Sequence, residues 1–413
     1  MKLNQVYIKL WLMMFLQFMQ FAVWWVPLAA YLTNLGVGDM QKALILSSMA
    51  IGCIVSPIVG GLADRYFSGE KILSALNFLT SLLLTIAGFQ SNPDIIFILL
   101  LLAMLAYMPG WGLTSVIAMT HSPSEQFPRI RLAGSVGWVA SGIFSLVAAR
   151  FFNVEFDGTN LPLFFGAALS FLAALVNLTL PPTPPQAKGQ KNSLGQALGL
   201  KTISLMRNKD FAIFIVASFL AFIPFALYWS YLSQFLQSIG YKYLTVTMNF
   251  GQITEMLVLF FVPTIIKRFG LRLTMIVGLA ALLFRYVAFY YGTVSGLDWI
   301  LFTGILVHGI IFGFFSLGGQ VYIDKVAPPC LKAQAQGFIF LITFGIGILV
   351  GNFLGAWLIQ LYTIIDNAGV NRVQWDKIWA ISSIISFSVL LFFTLFFNYK
   401  RESLNERISA GNR

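Results

Sequence analysis

The sequence predicts an all-α membrane protein with twelve transmembrane helices arranged as two six-helix halves. Three observations carry that expectation. Of 413 residues, 58% are hydrophobic and only 10% charged, whereas a soluble domain carries charge on about 25% of its residues. The apolar residues fall in twelve stretches, each near the roughly 20 residues a helix needs to cross a bilayer. The basic residues gather in alternate connections, the pattern that orients a polytopic protein. Soluble enzymes, nucleic-acid-binding modules and secreted disulfide scaffolds are excluded on the same grounds. The net charge of +11 reads as loop charge on one membrane face rather than as a nucleic-acid footprint.

Taken in order, the first six stretches cover about 8–33, 41–63, 72–90, 94–120, 130–152 and 160–180. Lipid-exposed backbone must satisfy its own hydrogen bonds, so each run reads as a helix. The first has a basic start like a signal peptide's. It is too long and too aromatic (Trp24-Trp25-Val26-Pro27), and it lacks a small-residue cleavage site, so it is expected to remain as a helix. In the fourth, Pro109-Gly110 should bend or unwind the helix. Pro181-Pro182 ends the sixth. A polar stretch follows with Pro184, Pro185, Lys188, Lys191, Lys201, Arg207 and Lys209. Six more runs lie at about 211–238, 243–266, 271–292, 297–323, 333–362 and 376–398. Gly347, Gly351 and Gly355 in the eleventh form a small-residue ridge for close helix packing.

The expected organisation is a first bundle at 1–181, a cytoplasmic linker at 182–210, a second bundle at 211–400 and a cytoplasmic tail at 401–413. With the amino terminus inside, the inner segments hold twenty of the 26 Lys and Arg, the outer segments five, and Arg285 lies within a helix. Both termini are therefore expected in the cytoplasm. Cys53 and Cys330 sit in different halves, one in an apolar run and one in a loop, and no disulfide is expected.

Glu255 is the one carboxylate deep inside an apolar run, and an ionisable group there is a functional-site hypothesis by default. Gln252 precedes it by three residues on the same helical face. A burial-raised pKa would let such a carboxylate carry a proton. The competing reading is a structural pair with Arg285 of the ninth helix. On the fifth helix Arg131, Ser135 and Trp138 recur at i, i+4 and i+7, setting a cation, a hydroxyl and an indole on one face. They suit a flat ring and sugar hydroxyls, although an interfacial Arg above packing residues fits the spacing equally. His308 and Phe312 repeat the spacing on the tenth helix. Gln17, Gln20 and Trp24 of the first helix, and Tyr228, Trp229 and Tyr231 of the seventh, read as cavity lining. No phosphate-cradling loop, metal-ligand spacing or nucleophile–base pair is visible, so ATP coupling, a bound metal or cofactor and enzymatic chemistry are not expected.

The loop after the second helix reads Gly60-Gly61-Leu62-Ala63-Asp64-Arg65, then Gly69-Glu70-Lys71. Lys267-Arg268-Phe269-Gly270-Leu271-Arg272 echoes it in the second half. This resembles the loop motif of the major facilitator superfamily, which implies that Asp64 and Arg65 latch one conformational state. Phe127-Pro128-Arg129-Ile130-Arg131, running on to Gly134-Ser135-Val136-Gly137-Trp138, resembles a signature of the bacterial nucleoside:proton symporters. So do Tyr107-Met108-Pro109, Gly251-Gln252-Ile253-Thr254-Glu255, Leu283-Phe284-Arg285-Tyr286 and Ala333-Gln334-Ala335-Gln336-Gly337, in family order along the chain. The resemblance implies substrate contacts from Arg131, Ser135, Trp138, Gln252, Glu255, His308 and Phe312, with Trp229 lining the cavity. Proton coupling would fall to Glu255. The chain departs from well-studied members at Ala226 and Trp229, where they carry Gln and Asn, and at Gly313, where they carry Asp. The implied protein is a monomeric carrier in a bacterial inner membrane, taking up nucleoside with a proton by alternating access. A sugar or glycoside is the alternative substrate, since Trp24, Trp138 and Trp229 could stack on a pyranose. A ligand sensor that does not transport is the alternative class.

Overall fold

A computed structural model describes residues 3–123, 126–185, 200–328, 331–366 and 369–399. Among them, twelve helices are long and apolar enough to cross a membrane. They are α1 (Gln5–Asn34), α2 (Asp39–Pro57), α3 (Gly69–Gly88), α4 (Pro93–His121), α5 (Phe127–Phe151) and α6 (Leu161–Leu178). The second six are α7 (Lys209–Ser238), α8 (Leu244–Phe269), α9 (Leu271–Ser295), α10 (Asp298–Val326), α11 (Gln334–Leu361) and α12 (Trp375–Phe396). Each matches an expected apolar run to within a few residues.

Local chemistry sets the helix ends. Asn92 accepts from the backbone N–H groups of Asp94 and Ile95 at the start of α4, where Pro93 occupies a first-turn position that needs no donor. Asn208 caps α7 through Phe211 N at 3.0 Å. As expected, α4 is interrupted at Met108, because Pro109 cannot donate to the helical ladder. Two features lie beyond the sequence reading. Thr363–Ile365 (β1) and Asn371–Val373 (β2) form a short antiparallel hairpin between α11 and α12. Leu200–Arg207 winds as a 3₁₀ helix ahead of α7. Residues 186–199 of the expected linker, including Lys188 and Lys191, the tail at 401–413, and Cys330 lie outside the described residues.

Within the first six spans, α1 packs on α5 and α6, and α3 on α4 and α6; within the last six, α9 packs on α10 and α12, and α7 on α11 and α12. The seam between the two sets is formed by α2 against α11, α5 against α8, and α1 against α7. The glycine ridge of α11 works as expected. A Cβ at Gly351 would meet Ala226 Cβ and Ile223 O at 2.5 Å, so only glycine lets α7 approach this closely.

The two ends of the seam differ. At the end opposite the linker it is stitched shut. Asp157, in the α5–α6 connection, accepts from Thr245 N (3.0 Å) and Thr245 Oγ1 (2.7 Å) at the start of α8. Lys42 Nζ donates to Gln234 Oε1 (3.3 Å), Asn249 Nδ2 to Val139 O (3.1 Å) and Asn352 Nδ2 to Ser47 Oγ (3.2 Å). Towards the linker end, a cavity of about 450 Å³ separates α4 from α7, α10 and α11, with Ser115, Ser218, Gln320 and Gln336 on its wall.

Candidate substrate site

Four of the expected site residues, Trp138, Trp229, Gln252 and His308, line one small cavity where the seam passes the middle of the spans. Trp138 on α5 meets Trp229 on α7, ring centroids 5.5 Å apart and planes at 49°. Around this pair the small cavity of about 30 Å³ is lined by Trp25, Tyr228, Gln252 and His308. The indole N–H groups of Trp25 and Trp229 are buried with no hydrogen-bond partner, so two donors stand open beside the cavity.

The polar core of the site belongs to α8, α9 and α10. His308 Nε2 lies 3.4 Å from Glu255 Oε2, and Glu255 is 8% exposed. Gly309 makes this approach possible, because a Cβ there would collide with the backbone of Thr254 and Glu255. The His308 ring stacks on Tyr228 (5.0 Å, 18°) and on Phe312 (6.3 Å, 21°). Beyond His308, α10 widens into a π-helical stretch over Ile311–Leu317, a distortion common at functional sites.

Across the seam, Arg131 sets its guanidinium 4.4 Å above the ring of Phe18. Its side chain is accessible yet surrounded by protein, and it lies within electrostatic reach of Glu255. Ser135, one turn on, and Gln252 are half-buried. Arg285 does not pair with Glu255: its Nη2 faces His308 Nδ1 at 3.0 Å.

Some expectations need correction. Gln17 and Gln20 do not line the cavity, because both hydrogen-bond Asn77 on α3 (3.0 and 3.3 Å) inside the first six spans. Trp24 packs against Gly166 on α6, and the neighbouring Trp25 takes its place on the cavity wall. Tyr231 is structural, donating to Asn352 O at 2.7 Å. The side chains of Asp64 and Arg65 lie outside the described residues, so the expected latch is not described. Sequence reasoning missed Gly309, Asn249 and Asp157. Of these only Gly309, beside His308, carries a sequence signal.

The three departures from the family pattern also find positions. Ala226 faces the glycine ridge of α11, and Gly313 faces Val258 and Val262 on α8. Both surroundings are apolar, so neither position points a polar group at the cavity. Trp229 fills the cavity wall with an aromatic donor instead.

A family model described as nucleoside H+ symporter matches residues 4–402. The chain is 34% identical to YegT of Escherichia coli (strain K12) over 96% of this chain and 94% of that protein. It is 26% identical to the nucleoside permease NupG of the same organism, over 95% and 96%. The crystal structure of nucleoside transporter NupG superposes with a TM-score of 0.83 at 25% identity, covering 97% of this chain and 100% of that one. The xylose transporter XylE from E. coli, at 13% identity and a TM-score of 0.68 over 97% and 100% of the two chains, shares the fold. The chain thus belongs to the nucleoside H+ symporter family, a multi-pass membrane transporter with twelve helices in two six-helix halves of the major facilitator fold.

Proposed function

We propose that this protein imports nucleosides with protons across a bacterial inner membrane, as a monomer with both termini in the cytoplasm. The observation that carries the reading is the meeting of three kinds of group at one point of the seam. Aromatic faces (Trp138, Trp229, Phe312) suit a base, open donors (Trp25, Trp229, Arg131) suit carbonyl and hydroxyl oxygens, and Gln252 with Glu255 suits ribose hydroxyls. His308 completes the wall, and the resemblance adds Ser135 of α5 as a further contact. In this conformer a cavity of about 30 Å³ is too small for a nucleoside, so substrate must part Trp138 from Trp229. The closed end opposite the linker and the larger cavity on the linker side then correspond to a state facing the cytoplasm. Alternating access moves the bundles 1–181 and 211–400 about the seam, with Asp64 and Arg65 as latch and 182–210 as tether.

Proton coupling falls to Glu255, whose carboxyl lies 3.4 Å from His308 of its own half and within electrostatic reach of Arg131 of the other. Neutralising it removes a negative field from the cavity and changes what the site can bind. Counterflow of labelled uridine, guanosine and xanthosine in proteoliposomes tests the reading, with xylose alongside. Exchange of a nucleoside that speeds up when the outside is acidified supports it. Exchange of xylose alone would point to the sugar reading, and saturable binding of a nucleoside without exchange would point to a sensor.

A further inference from the structure

Arg285 takes no part in the substrate chemistry above, yet it is a completely buried cation, 0% exposed. Its contacts are specific. Nε donates to Gly304 O (3.1 Å), Nη2 faces His308 Nδ1 (3.0 Å), and the guanidinium carbon stands 3.7 Å above the Tyr228 ring. A guanidinium has five N–H donors and no acceptor, and it does not deprotonate in proteins. The imidazole nitrogen facing it must therefore be the acceptor and carry no hydrogen. The ring proton then sits on Nε2, which lies 3.4 Å from Glu255 Oε2.

We propose that Arg285 is a positioning residue that fixes His308 as its neutral Nε2–H tautomer, so that His308 donates to Glu255 and cannot itself take up the coupling proton. The charged and titratable groups facing His308 are Glu255 from α8, Arg285 from α9 and Tyr228 from α7; Trp229 and Phe312 offer only ring faces. A second proton on Nδ1 would set two N–H groups head to head beside a permanent cation. Glu255 is under no such restriction. It can accept from Nε2–H through one oxygen and hold a proton on the other, so it can change charge without breaking its pairing. The clause on coupling rests on the proposed symport; the tautomer does not.

The chain has only two histidines, His121 and His308, so His121→Gln leaves a single imidazole for 15N NMR. Labelled His121→Gln protein in liposomes should show a bare Nδ1 and a protonated Nε2 at every pH from roughly 5 to 8, where a free imidazole titrates. Arg285→Met removes the donor, and both 15N shifts should then move with pH. Arg285→Lys keeps a donor and should restore the bare Nδ1. If Arg285→Met fails to fold, the parent spectrum and the lysine variant still decide. A protonated Nδ1 in the parent, or shifts that stay fixed in folded Arg285→Met, would overturn the proposal. A locked tautomer in a protein without proton-driven uptake would sink only the symport reading. A titrating His308 in a protein with intact coupling would sink only this one.

Discussion

Glu255 lies 3.4 Å from His308 on its own half and within electrostatic reach of Arg131 across the seam, so in the proposed coupling a proton on it would change the field on both halves together. Glu255→Gln holds the neutral state with nearly the same shape. Counterflow should persist while gradient-driven accumulation falls by at least about tenfold, the equivalent of 1.4 kcal/mol of lost coupling. Accumulation at the parent level would remove Glu255 from the proton path. Trp229→Phe keeps the ring and deletes an unpartnered N–H. Nucleoside binding should weaken by about five- to tenfold, near the upper range for one hydrogen bond, and an unchanged thermal-shift titration would show that the indole makes no such bond. Several of these residues are legible in sequence, because a carboxylate or histidine in an apolar run stands out against its neighbours. Gln17, Gln20 and Trp24 mislead for a physical reason. Periodicity reveals that residues share a face but not which way it looks, and here Asn77 waits on the inner side.

At the scale of elements, the apolar runs make all twelve spans readable, since length and hydropathy alone determine what crosses hydrocarbon. Contacts between distant elements carry no such signal: Asp157 and Thr245 meet across 88 positions. Two consequences can be measured. Gly351→Val places a branched side chain against Ala226 and Ile223, and overpacking of this kind costs about 1–3 kcal/mol. The detergent-solubilised variant should melt several degrees lower, and a melting point equal to the parent's would mean that α7 and α11 are not tightly seated there. The other concerns Asp157, which lies outside the spans. Burial pushes its carboxyl above the usual range, and hydrogen bonds from Thr245 and Ser145 offset this only in part. A group whose proton affinity is higher in the closed form favours closure when protonated. That contribution is full below the ordinary value of about 4 and is lost as pH rises through the raised one. Spin labels on the ends of α2 and α8 opposite the linker should therefore report more of the closed form on acidification. Asp157→Asn should abolish the response; an identical response in that variant would sink the assignment.

Over the whole molecule, the seam is closed at one end and hollow at the other, and what closes it is of one kind. Among the described residues, no ion pair within 4.0 Å joins the first six spans to the last six; the short contacts across the closed end are hydrogen bonds in which at most one partner is charged. Ion pairs at an exposed seam weaken as dissolved ions screen them, with a Debye length shrinking from about 10 Å at 0.1 M to about 3 Å at 1 M. Short hydrogen bonds to backbone and hydroxyl groups are far less exposed to that screening. Raising potassium chloride from about 0.1 to 1 M should leave the spin-label distances at the closed end unchanged, whereas a shift towards the open form would reveal an ionic latch. A closed end held by hydrogen bonds rather than ion pairs would leave the resting balance of the carrier indifferent to whether its surroundings are dilute or saline.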